Sequence, residues 1–123
     1  MINDEPDARD LVATALRSFR ETILPVVPAG QRFTALMIAN ALGVAERELA
    51  AGTAAEPALA EAVGGLLGES GDLAGLLARL CAAIDSGAFD DPGRQAALRA
   101  VLADITRARL AVSNPKQLAG DGR

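Results

Sequence analysis

Histidine, tyrosine and tryptophan are missing from these 123 residues, phenylalanine occurs three times and cysteine once. Without imidazole there is no Ser-His-Asp triad, no histidine general base and no zinc site of the His type. A lone thiol, Cys81, excludes an internal disulfide and agrees with a reducing compartment. It falls in an apolar helical run, so burial as a small hydrophobe is expected of it. Positive charge is also short: twelve basic against sixteen acidic side chains leave a net −4. Nucleic-acid binders show a basic face or stripe, so DNA and RNA drop out of the expected partners. Long apolar runs are lacking too, and no window approaches the ~18 residues of a spanning helix. Met1-Ile2-Asn3-Asp4-Glu5-Pro6 has neither the basic nor the apolar region of a secretory signal. A cytoplasmic protein without membrane contact is expected.

What the chain does have is alanine and leucine, 27 and 17 of them. Both lead the helix propensity scale, while strand-favouring residues are scarce. The expected fold is all-α, a single-domain bundle of about five helices over residues 1–123, with a core at about 6–115 and a frayed tail at 116–123. The first helix is expected from around Asp4–Pro6 to Leu24, burying Ala8, Leu11, Val12, Ala15, Phe19 and Ile23. Pro25 to Gly30 then reads as a stiff connector. A second helix spans about Gln31 to Ala51 and stops at Gly52. Glu56 to Leu67 forms a third around Leu59, Val63, Leu66 and Leu67, with Gly64 and Gly65 either allowing close packing or ending it early. After the turn Gly68–Gly71, Asp72 caps a fourth helix with the stripe Leu73, Leu76, Leu77, Leu80 and Ile84, and Gly87 ends it. Asp91-Pro92 reads as N-cap and N1 of a fifth, striped by Leu98, Val101, Leu102, Ile105 and Val112 and ended by Asn114-Pro115.

Candidates for chemistry fall away on context. Gly64-Gly65-x-x-Gly68 and Gly68-x-x-Gly71 have neither a preceding strand nor a following Lys-Ser/Thr, so no phosphate loop is expected. Glu46 with Glu48, and Asp90 with Asp91, are spaced wrongly to share a helical face. The di-metal motif of bundle enzymes needs histidine. No catalytic residue, metal site or cofactor is expected.

The second helix is the unusual one. Phe33, Met37, Ile38, Ala41, Leu42, Val44, Ala45 and Leu49 cover about half its circumference, and Leu36 lies on another side beside Asn40, Gly43 and Arg47. A helix apolar nearly all round is either central in its domain or reserves a face for a partner. Asn40 either joins an internal network with Arg47 or faces that partner. Arg109 sits on the apolar stripe of the last helix, where it either snorkels outward or meets an acidic or phosphorylated group.

Three stretches carry a resemblance: Phe33-x-Ala35-x-x-x-Ala39-Asn40-Ala41-Leu42 with Arg47-Glu48-Leu49, then Gly71-Asp72-Leu73-x-x-Leu76 leading to Leu80-Cys81-x-x-Ile84-x-x-Gly87, then Arg109-Leu110-x-x-x-Asn114-Pro115. Taken in order over about residues 6–117, they resemble a family of small bacterial proteins found beside aminoglycoside-phosphotransferase-like kinases and acyl-CoA dehydrogenases. The best understood setting of that family is levulinate catabolism, where the small protein accompanies the kinase that phosphorylates 4-hydroxyacyl-CoA. The resemblance implies a non-catalytic accessory subunit, hetero-oligomeric with such a kinase. Phe33, Leu36, Asn40, Arg47, Arg109 and Asn114 are the residues expected at or just behind the partner surface. The alternative is a bundle that binds an acyl chain or acyl-CoA without a kinase, which stabilisation of the isolated protein by that ligand would reveal. Self-association as a homodimer is a third reading.

Overall fold

A computed structural model describes residues 5–120, all of whose regular elements are helical. The elements are α1 (Ala8–Ser18), a π-helical turn (Phe19–Ile23), two short 3-10 turns (Leu24–Val26 and Ala29–Gln31), α2 (Arg32–Ala51), α3 (Glu56–Leu67), α4 (Leu73–Asp85), α5 (Pro92–Ser113) and α6 (Pro115–Gly120). The chain is therefore all-α, as its alanine and leucine content requires. It groups into two compact units: unit 1 is Met1–Gly52 with Val112–Asn114, and unit 2 is Thr53–Ala111 with Pro115–Arg123.

Unit 2 holds a conventional core. Val63 of α3, Leu76 and Leu80 of α4, Phe89 of the following turn, and Leu98 and Ile105 of α5 form one buried cluster. Its punctuation follows from the sequence. Asp72 accepts a hydrogen bond from the Gly75 amide through its carboxylate at 3.1 Å, and Asp91 does the same for Arg94 at 3.0 Å, so each satisfies an orphan donor at a helix start. At the end of α4, Gly87 adopts φ 86, the Ala88 amide donates to the Ala83 carbonyl, and the Gly87 amide donates to that of Ile84. This pair of bonds is the Schellman arrangement, which needs a residue free of Cβ strain at that position. The third helix runs through its two glycines to Leu67, and Gly64 is buried against the Glu69 carbonyl. Close packing, not early termination, accounts for Gly64.

Unit 1 is built differently. α1 and α2 lie side by side, and their buried positions are Leu16 on α1 and Ala35, Ala39 and Gly43 on α2. Small residues at i, i+4 and i+8 leave a shallow strip against which another helix approaches closely. The large apolar residues of α2 lie elsewhere.

The first helix begins at Ala8 with Asp7 as its cap, not at Asp4–Pro6, of which Asp4 lies outside the described residues. Its buried side is Leu16 with half-buried Val12, Ala13 and Phe19, whereas Leu11 is 56% and Ile23 46% exposed. The stripe is thus rotated by about a quarter turn, because α1 faces a strip of small residues and the π turn resets the phase after Ser18. Two 3-10 turns occupy part of the expected connector. Pro115, expected with Asn114 to end the fifth helix, opens the short helix α6, as its fixed φ suits a first helical position, so residues 116–120 of the expected frayed tail are helical. Residues 121–123 lie outside the described part. Cys81 is exposed, since on α4 it stands about 100° away from the buried Leu76–Leu80 line.

Candidate functional site

The exposed large hydrophobes concentrate in unit 1. Among the described residues, eight of ten belong to it: Leu11, Ile23, Val26, Phe33, Leu36, Met37, Ile38 and Leu49. Five of these lie on α2. Phe33 (76% exposed), Leu36 (45%), Met37 (52%) and Asn40 stand at i, i+3, i+4 and i+7, so they make one continuous outward face. The helix faces α1 with alanine and glycine and keeps its bulk for the outside. A contiguous apolar face on a helix, with a polar amide set into it, is the usual form of a protein-docking surface.

Arg47 continues this face towards the C-terminal end of α2, and it is half-buried. Its Nε donates to the Val112 carbonyl oxygen at 2.6 Å. The reason is local: Val112 is in the last turn of α5, whose final carbonyls have no intrahelical donor and carry the negative end of the helix dipole. The Arg47–Asn40 network, one of the two arrangements left open by the sequence, does not form; Asn40 is exposed, and Arg47 is engaged elsewhere.

Beside it lies a second guanidinium. A Cβ built on Gly43 would sit 3.3 Å from Arg47 Nη1 and 3.8 Å from Arg20 Nη2, so both side chains converge on this glycine and bury it. Next to them is an open cleft of about 440 Å³ lined by Ala13, Leu16, Arg17, Arg20, Glu21 and Glu46.

Of the six residues expected at a partner surface, Phe33, Leu36 and Asn40 come together on one exposed face, and Arg47 extends it as a half-buried neighbour. Asn114 is exposed between α5 and α6 and belongs to unit 1, two residues beyond the acceptor of Arg47. Arg109 is exposed on the α5 portion that belongs to unit 2. Two members of the site escaped the sequence reading. Met37 could have been found by its i+4 spacing from Phe33. Arg20 carried no signal, because it lies in the π turn, where an α-helical wheel misplaces every residue.

Aromatic, thioether, aliphatic, amide and guanidinium groups make a surface suited to binding. Among the described residues no group of three or more His, Cys, Asp or Glu side chains is placed to hold a metal ion, and no helix is long and apolar enough to cross a membrane.

This geometry defines an all-α protein with an unpaired apolar helix face. The chain belongs to the family described as "Domain of unknown function (DUF6285)", which it matches over residues 25–117, a span that includes α2 and all of its outward face. No curated protein and no solved structure matches the chain.

Proposed function

We propose that this protein is a non-catalytic accessory subunit that docks, through the outward face of α2, on an aminoglycoside-phosphotransferase-like kinase acting on 4-hydroxyacyl-CoA in levulinate and related hydroxy-acid catabolism. The observation that carries the docking role is the exposure of Phe33, Leu36 and Met37 along one helix face while alanine and glycine occupy the buried one. A surface of this kind gains stability only when something covers it. Burying Phe33 alone contributes roughly 1.5–3 kcal/mol, and a cluster of three such side chains is enough to anchor an interface. The class of partner comes from the sequence resemblance, and with it a cytoplasmic setting.

Co-expression with the cognate kinase tests this reading. Wild-type chain is expected to co-purify with the kinase and to support its phosphorylation of a 4-hydroxyacyl-CoA. Phe33→Ala should weaken the complex by about ten- to a hundredfold, the equivalent of the burial forgone. Leu36→Asp should abolish it, and Asn40→Ala should weaken it. If Leu36→Asp and Asn40→Ala both co-purify and sustain full phosphorylation, the α2 face is not the kinase's dock.

A further inference from the structure

We infer that Arg20 and Arg47 form a clamp for a single carboxylate, and that its occupant is an Asp or Glu side chain of the protein that docks on α2. The second half of this statement rests on the docking role proposed above; the first half does not.

Two like charges are held together against α2. Both guanidinium groups lie over Gly43, and their nearest nitrogens are within about 7 Å of each other. One carboxylate can bridge that span with charge-assisted bonds of about 2.8 Å to each side. Arg47 is fixed there by its Nε bond to the Val112 carbonyl, which leaves its terminal nitrogens free to point at a ligand. Arg20 makes no ion pair or hydrogen bond with any described residue. Gly43 lets the Arg47 plane lie close, because a Cβ there would press on it, whereas Arg20 would stay in ordinary contact. Arg47 is half-buried and Arg20 exposed; two guanidinium groups this close repel one another, and an anion between them offsets that repulsion.

The surroundings choose the anion. Glu21 and Glu46 line the adjoining cleft with Arg17 and Arg20, so a dianion such as a phosphate monoester meets about twice the repulsion that a single carboxylate does. Leu36, Asn40, Gly43 and Arg47 follow one another along one strip of α2 at i, i+4, i+7 and i+11. A polypeptide laid on the apolar face therefore brings an acidic side chain to the clamp without leaving the helix surface. The clamp would set register and select acidic partners, as charged groups at interface edges do.

Two measurements test the inference on the full-length chain. In the first, the arginine Nε–H resonances are followed by NMR during titration with N-acetyl-aspartate amide, a monocarboxylate, and in parallel with inorganic phosphate. Saturable shifts of Arg20 and Arg47 by the carboxylate, weaker effects from phosphate, and loss of the response in Arg20→Gln are expected. Absence of shifts on both arginines, or tighter binding of phosphate, overturns the clamp whether or not any kinase binds. Arg20→Gln is the clean variant, since that side chain holds no other group in place. The second measurement is the affinity of the complex with the cognate kinase. Arg20→Gln is expected to weaken it at least tenfold at low salt, with the loss shrinking as salt rises, and Arg32→Gln on the same helix as Arg47 should not. If the probe binds but Arg20→Gln leaves the complex unchanged, the occupant is not a partner's side chain and that half is wrong. A wild-type chain that captures no kinase sinks the proposed function and its occupant, while the clamp still stands or falls on the titration.

Discussion

A methyl group added at Gly64 would sit 2.5 Å from the backbone carbonyl oxygen of Glu69, whereas one added at Gly65 would meet nothing within 4 Å. The two neighbours on α3 therefore answer the same substitution with opposite signs. Gly64→Ala forces the turn after α3 to move and disturbs the bond from the Glu69 amide to the Gly64 carbonyl, at a cost of about 1–3 kcal/mol. Gly65→Ala fills an exposed helical position and should stabilise by roughly 0.4–1 kcal/mol. Urea unfolding of the two variants checks both; equal effects would mean that the turn does not press on Gly64. Asp72 and Asp91 belong to the same scale, and replacing either with Ala should cost about 1 kcal/mol through the missing cap. These caps, and Gly87 as a helix stop, were legible in the sequence because their chemistry is local: a side-chain acceptor three residues before an amide, or a glycine where φ turns positive. Phe89 was not legible. It is buried at 3% in a turn, under the Arg94 guanidinium at 4.6 Å, and no periodic pattern reaches a turn residue.

The two helices of unit 1 divide what a sequence can say about an element from what it cannot. The limits of α2 are set by Gln31 and Gly52, and the expected span differs from the observed one by a single residue. Its orientation is another matter. When apolar residues occupy most of a helix circumference, periodicity does not distinguish the face that packs inside from the one that packs outside. The face turned inside is the one with the smallest side chains, Ala35, Ala39 and Gly43. That choice gives a prediction. Met37→Gln and Phe33→Ser should leave the unfolding free energy of the isolated protein within about 0.5 kcal/mol of wild type, as exposed positions do. Ala39→Leu should cost about 1–3 kcal/mol by overpacking the strip. The reverse pattern, with Met37→Gln and Phe33→Ser costly and Ala39→Leu tolerated, would place the bulky face inside. Where the sequence misjudged α1, the cause is the same weakness joined to the π turn, which shifts every later residue around the axis and hides Arg20 from any α-helical template.

At the scale of the whole chain, the two units differ in how much apolar bulk each has put away. Unit 2 buries Val63, Leu76, Leu80, Phe89, Leu98 and Ile105 in one cluster, and Leu76→Ala there should cost about 2–5 kcal/mol. Among the described residues, unit 1 buries one large side chain, Leu16, and carries eight of the ten exposed large hydrophobes. Local opening is governed by the apolar surface it uncovers, so the two units should not exchange their amides alike. In the isolated protein, the interior amides of α1 and α2 are expected to exchange at least ten times faster than those of α3 and α4, a difference of about 1.4 kcal/mol in opening free energy. Hydrogen exchange read by mass spectrometry resolves peptides from each helix. A partner that covers Phe33, Leu36 and Met37 buries what unit 1 leaves open, so binding should slow α1 and α2 and leave α3 and α4 nearly unchanged. Equal protection in the isolated chain would mean that Leu16 and the small-residue strip suffice to hold unit 1. The apolar face of α2 would then be a tolerated surface, and the case for a docking partner would lose its energetic basis.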